Sequence, residues 1–147
     1  MGWFVVPEDL RASFDDRAVS TYISPPLLSQ AIVYELHDRG AFEPNLDRIR
    51  GLLHARQSAM LGALDREMPD GVSWSHPEGG YFLWVDFPAG TDAGDVLRRS
   101  TDAGVTFVKG ADFFPSGTAG TSSARLAFSF ETPERSAEGV AILASLL

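Results

Sequence analysis

Cysteine is absent from the 147 residues, which excludes a disulfide, a thiolate nucleophile and any cysteine-based metal site. Lysine is nearly absent: Lys109 is the one lysine beside eleven arginines, so imine chemistry carried by this chain has a single candidate. His37, His54 and His76 are dispersed, with no HxH or HExxH spacing, and no metal site is expected. Neither a GxSxG, a Walker A motif nor a GxGxxG after a strand is present. No apolar stretch approaches the roughly 20 residues of a membrane span. The start, MGWFVVPEDLR, has no basic region before its apolar run and turns acidic at once, unlike a signal peptide. Basic clusters are missing as well, and the formal net charge is −8. That disfavours nucleic acid and an anionic membrane surface, both of which select clustered Lys and Arg. A cytoplasmic protein is expected.

What is present is globular: 44% apolar and 11% aromatic residues with mixed charges. Trp3 to Val6, closed by Pro7, reads as a buried strand. Glu8 to Phe14 reads as a short helix and Asp15 to Thr21 as a polar connection. Ser24-Pro25 has the form of a hydroxyl N-cap with proline at the first helical position. Leu27, Leu28, Ala31, Ile32 and Leu36 follow at helical spacing, and Gly40 closes that helix. Asn45 is placed to cap a helix reaching about Met68. Its apolar face is Leu46, Ile49, Leu52, Leu53, Ala59, Met60, Ala63 and Leu64.

Strands are expected at Val72 to Ser75, Tyr81 to Phe87, Val105 to Val108 and Ala124 to Phe130. Tyr81 to Phe87 is apolar on both faces and reads as central. A helix beginning at Thr91 or Asp92 ends at Gly104. Thr132-Pro133-Glu134 caps the last helix, with an inward stripe of Ala137, Val140, Ala141, Ala144 and Leu147. The order predicts an α+β fold, a small sheet covered by helices on one side. HDRGAFEPN, near residues 38 to 45, marks a boundary.

Arg125 is the leading candidate for chemistry. It sits in the alternating strand SARLAFSF with Ala127 and Ser129 on its own face, and its fork suits a carboxylate. The alternatives are pairing with a structural acid and plain exposure. Lys109, at a strand end, is either an imine-forming lysine or a solvated charge, and nothing near it reads as a phosphate cradle. Gly79-Gly80 serves a turn requiring positive φ. Phe113 and Phe114 line a pocket or pack into the core.

Several segments together resemble the C-terminal part of fold-type I, class I/II aminotransferases, in particular the 2-aminoadipate type and the aminotransferase-like domains of MocR-type regulators. GWFVVPEDL resembles the family's GW-v-v-aP strand. SQAIVYELHDRGAFEPNLDRIR resembles its Q-a-a-l-a-e-y-l-x-x-G segment. HPEGGYFLWVDFPAGTDA resembles P-x-GG-m-F-l-W-v-x-l-P-x-G-x-d-a, and GVTFVKGADFF resembles GV-x-f-v-PG-x-x-F. SARLAFSF resembles the R-L-x-F-s strand. The last helix resembles e-G-v-x-x-L-x-x-l.

The resemblance implies a small C-terminal domain, residues 41–147, with a short, mostly antiparallel sheet covered by helices. It implies that residues 1–40 are a remnant of the large α/β domain that binds pyridoxal phosphate (PLP). It implies that Arg125 grips the substrate α-carboxylate, with Gly79, Gly80 and Phe82 near the substrate entrance. The parent activity would move an amino group between an amino acid and a 2-oxo acid, in a homodimer. The family's Schiff-base lysine stands within about ten residues before the GW segment. This sequence begins at that segment, so a truncated chain is expected, without covalent PLP and inactive alone. Lys109 replaces the proline of v-PG. The family's tyrosine is missing near Leu53 and His54, and Gln57 replaces an arginine. A non-catalytic sensing or interaction module derived from a MocR-type regulator is the alternative.

Overall fold

The computed structural model describes residues 4–147. Its internal contacts divide the chain into two units, Met1–Arg48 and Ile49–Leu147.

The first unit holds helices α1 (Glu8–Thr21) and α2 (Leu27–Asp38) and the start of α3 (Phe42–Glu67). It corrects four expectations. Trp3 lies outside the described residues. Phe4 and Val5 form no strand and are 83% and 90% exposed. Asp15 to Thr21 is helical, so α1 is twice the expected length. Its apolar residues follow no stripe, and helical periodicity therefore gives no signal there. Ser24 caps nothing. Pro26 disfavours the α conformation at Pro25, so α2 starts at Leu27, behind Pro26. The predicted α2 stripe is helical, yet Leu27, Leu28 and Ile32 are exposed. Asn45 lies inside α3, its backbone N–H bonded to Ala41. Pro44 is tolerated because the first turn leaves its N–H groups without partners.

The second unit carries the core. Strands β1 (Ser73–Trp74), β2 (Phe82–Asp86), β3 (Val108–Lys109) and β4 (Ser123–Ala127) form an antiparallel sheet in the order β1-β2-β4-β3. β2 is central, as its two-faced apolar pattern predicts. Cross-strand register fixes which side chains share a face. Leu83 stands opposite Leu126 and Val85 opposite Ala124. These four are buried with Phe87 and Phe128 against Met60, Ala63 and Leu64 of α3, Ala93 and Val96 of α4 (Ala93–Asp102), and Val140 and Leu143 of α5 (Pro133–Ala144). Helices thus cover one face, and the α+β architecture is as expected. The inward stripe of α5 is Ser136, Val140 and Leu143. Of the predicted stripe, Val140 is buried and Ala137 packs against the core, whereas Ala141 and Leu147, the latter beyond the helix end, are exposed.

Caps fix the helices that bear on the sheet. The Asp92 carboxylate accepts from the backbone N–H of Gly94 at 2.8 Å and of Asp95 at 3.4 Å. Thr132 Oγ1 accepts from Arg135 N at 3.3 Å, ahead of Pro133. Replacing Asp92 by alanine is expected to lower stability by about 1 kcal/mol, read as a lower urea midpoint with an unchanged slope. An unaltered midpoint would mean that the cap contributes nothing.

Candidate functional site

The other face of the sheet carries the candidate site. Arg125 stands opposite Trp84 on β2 and Val108 on β3, Phe82 opposite Ala127, and Asp86 opposite Ser123. All these positions lie on the side away from the helices, because their sequence neighbours Leu83, Val85, Ala124 and Leu126 fill the core. β4 is a central strand, so the base of the Arg125 side chain is held by ladders on both edges.

Two aromatic rings lie against the guanidinium. Its Cζ lies 3.8 Å from the centroid of Phe82 and 4.8 Å from that of Phe113. Both distances are within the range of a cation–π attraction. Phe113 comes from the 3₁₀ turn Gly110–Phe113 that follows β3. It is 44% exposed and Phe114 41%, so neither belongs to the core, and Phe113 serves the arginine. Arg125 Nε is buried without a hydrogen-bond partner, and no acid is paired with the guanidinium among the described residues. A positive fork thus sits against the rings with its hydrogen-bonding capacity unspent, an arrangement that favours a planar anion.

Of the residues predicted from sequence, the structure brings Arg125 and Phe82 together. Gly80 has φ +84° and turns the chain into β2, while Gly79 and Gly80 both face open space. Trp84, Asp86, Ser123 and Phe113 complete the face. The alternation in FLWVD and SARLA places each side chain above or below its own strand, but which residues meet depends on a register that alternation alone does not supply.

Lys109 stands opposite Ala124, on the helix-covered side of the sheet and so on the side away from Arg125. Its Nζ lies 3.4 Å from Asp112 Oδ1. A Cβ built on Gly94 would meet Lys109 Cδ at 3.9 Å, so the α4 N-terminus is adjacent. The N–H groups of that terminus are already taken by Asp92, which leaves no phosphate cradle beside the lysine. Among the described residues no group of three or more His, Cys, Asp or Glu could hold a metal ion, and no helix is long and apolar enough to cross a membrane.

This geometry can be set beside known proteins. The 2-aminoadipate transaminase of Thermus thermophilus is 40% identical over 115 residues, 78% of this chain and 28% of its own length. Aromatic-amino-acid aminotransferase 1 of Thermococcus litoralis is 30% identical over the whole chain, covering 35% of its own. The crystal structure of the α-aminoadipate aminotransferase LysN from T. thermophilus, complexed with N-(5'-phosphopyridoxyl)-L-leucine, superposes with a TM-score of 0.87 at 34% identity, over 97% of this chain and 36% of that one. Helix-turn-helix transcriptional regulators also match part of the chain. No family model matches.

The sequence and the fold are those of the fold-type I, PLP-dependent aminotransferases, and the chain belongs to that family. More particularly, it has the form of the C-terminal domain of such an aminotransferase, and it spans about a third of the length of these relatives. PLP enzymes of this kind hold their cofactor through a lysine imine. The described residues do not fit that group: their one lysine is ion-paired, lacks a phosphate cradle and faces away from Arg125.

Proposed function

We propose that this chain supplies the substrate-carboxylate arm of a PLP-dependent aminotransferase, with Arg125 as the residue that grips the α-carboxylate of an amino acid or 2-oxo acid. The observation that carries this reading is the Arg125 guanidinium, set against Phe82 and Phe113 and free of any acidic partner among the described residues. The chain's own residues bind and orient. β4 fixes the base of the side chain, the rings restrict its plane, and the two-pronged fork sets the tilt of the bound carboxylate. Phe82, at the start of β2 behind the Gly79-Gly80 turn, walls the approach. In this reading residues 41–147 are the small domain and residues 1–40 belong with the large domain. The homodimer and a cytoplasmic location go with the parent enzyme.

Amino transfer itself also needs an imine lysine, which these 147 residues do not supply. The chain mixed with PLP and an amino acid is expected to form no imine absorbance band near about 400–430 nm and no 2-oxo acid. A band that forms and is lost in Lys109→Ala would contradict this. The carboxylate arm is tested by adding acetate, at constant ionic strength, while following the Arg125 Nε–H resonance by NMR. A saturable shift is expected, and an unmoved resonance would refute the assignment. The match to transcriptional regulators favours a second reading, a sensing module that uses the same arginine without turnover. Carboxylate binding is common to both readings; amino transfer by the complete protein separates them.

A further inference from the structure

Asp86 is the one acid in the four strands, and it lies on the same face as Arg125. Asp86 registers with Ser123 and Arg125 with Trp84, so the two are diagonal neighbours. Diagonal neighbours stand about 7–8 Å apart, somewhat less between their Cβ atoms, within reach of a long side chain. A guanidinium that close to a carboxylate would ordinarily form a two-pronged ion pair. Here it does not. Asp86 Oδ1 accepts the Trp84 indole N–H at 2.9 Å and the Ser123 hydroxyl at 2.6 Å. Ser123 is buried, and its backbone is held in β4, so this donor is fixed. The pinned Trp84 ring in turn meets Phe113 edge-on, 5.6 Å between centroids at 73°, and Phe113 is one of the two rings beside Arg125.

We propose that Trp84 and Ser123 are positioning residues that hold Asp86 away from Arg125, keeping the guanidinium open to an incoming carboxylate. The proposal rests on the reading of Arg125 as a carboxylate-binding residue. With either donor removed, the remaining one no longer holds Asp86, which rotates onto the fork and competes with the ligand as an internal carboxylate at high effective concentration. Trp84 therefore acts through its N–H group, a role separable from the packing of its ring.

Trp84→Phe removes the N–H and keeps an aromatic ring against Phe113. Acetate binding to the 147-residue chain is measured by NMR at the Arg125 Nε–H, with chloride at equal ionic strength as the control and circular dichroism reporting the fold. Trp84→Phe is expected to weaken acetate binding about five-fold or more, because a resident carboxylate must be displaced. The double variant Trp84→Phe/Asp86→Asn is expected to return to wild-type affinity, since the competitor is gone. If Trp84→Phe binds acetate as the wild type does, or if the double variant stays weak, the proposal is overturned while Arg125 keeps its role. If the wild type shows no saturable acetate response, or Arg125→Gln binds acetate equally well, the underlying reading of Arg125 fails instead. Should Trp84→Phe not fold, Ser123→Ala and Ser123→Ala/Asp86→Asn give the same comparison: weakening with rescue supports the proposal, and either result without the other overturns it.

Discussion

Arg125→Gln is expected to abolish saturable carboxylate binding, and Arg125→Lys to weaken it roughly ten-fold or more although the charge is kept. The reason lies in how the side chain is held. The guanidinium Cζ lies 3.8 Å from the Phe82 ring centroid and 4.8 Å from that of Phe113, and no acid is paired with its N–H groups among the described residues. A planar fork in that slot presents parallel donors to both oxygens of a carboxylate. An ammonium would offer a point charge, carried on a stem with no plane to be gripped. Glutamine fits the slot but has neither charge nor fork. Isothermal titration with acetate checks both variants. Equal binding by wild type and Arg125→Lys would mean that charge alone attracts the ligand and that the aromatic slot is incidental.

Gly110→Ala is expected to destabilise the chain by about 3 kcal/mol or more, at or beyond the upper end of ordinary overpacking. A Cβ at Gly110 would stand 2.6 Å from the Gly120 carbonyl oxygen and 2.6 Å from Ser123 Cβ. The first of these is backbone and cannot swing aside. Gly120 is equally constrained, with φ +68° and a would-be Cβ 2.6 Å from the Phe114 ring. The close approach of these glycines lets the loop after β3 fold back on the entry to β4, and it places Phe113 beside Arg125. The alanine variant should therefore show a lowered thermal midpoint. Under conditions where it still folds, it should also lose carboxylate affinity because Phe113 is displaced. A midpoint within about 0.5 kcal/mol of wild type would show that the loop has room to spare.

The sequence made the second unit more legible than the first. The two-faced apolar run FLWVD and the alternation in SARLA, with helices bearing clear start and stop residues around them, identify a helix-covered sheet, because the strands must bury a face. Thr132 caps the helix it was expected to cap, and of the two candidates Thr91 and Asp92 it is Asp92 that caps α4. In the first unit the signals were weaker. DDRAVST continues α1 without an apolar stripe, so its helicity leaves no periodic trace. The second proline of SPP moved the start of α2 beyond the apparent hydroxyl cap. In α5 the inward face includes the polar Ser136 beside Ala137, Val140 and Leu143, which an apolar stripe does not signal.

The candidate site was legible one residue at a time. Arg125 stood out as an arginine with small neighbours on its face of an alternating strand, and Phe82 only through the resemblance of its segment to the family's GG-m-F strand. The Trp84–Asp86–Ser123 chain and Phe113 could not be joined to it from sequence. Their meeting depends on the pairing of β2 with β4 and on the return of a loop whose path is set by contacts between Gly110 and Gly120, neither of which has a local signature.

A crystal structure of the chain grown in a carboxylate buffer examines the substrate-arm assignment most directly. The expected result is a carboxylate whose two oxygens lie about 2.7–2.9 Å from Arg125 nitrogens, beside the Phe82 and Phe113 rings, with Asp86 still on Trp84 and Ser123. Density showing Asp86 or another side-chain acid docked on that guanidinium, and no ligand there, would contradict it.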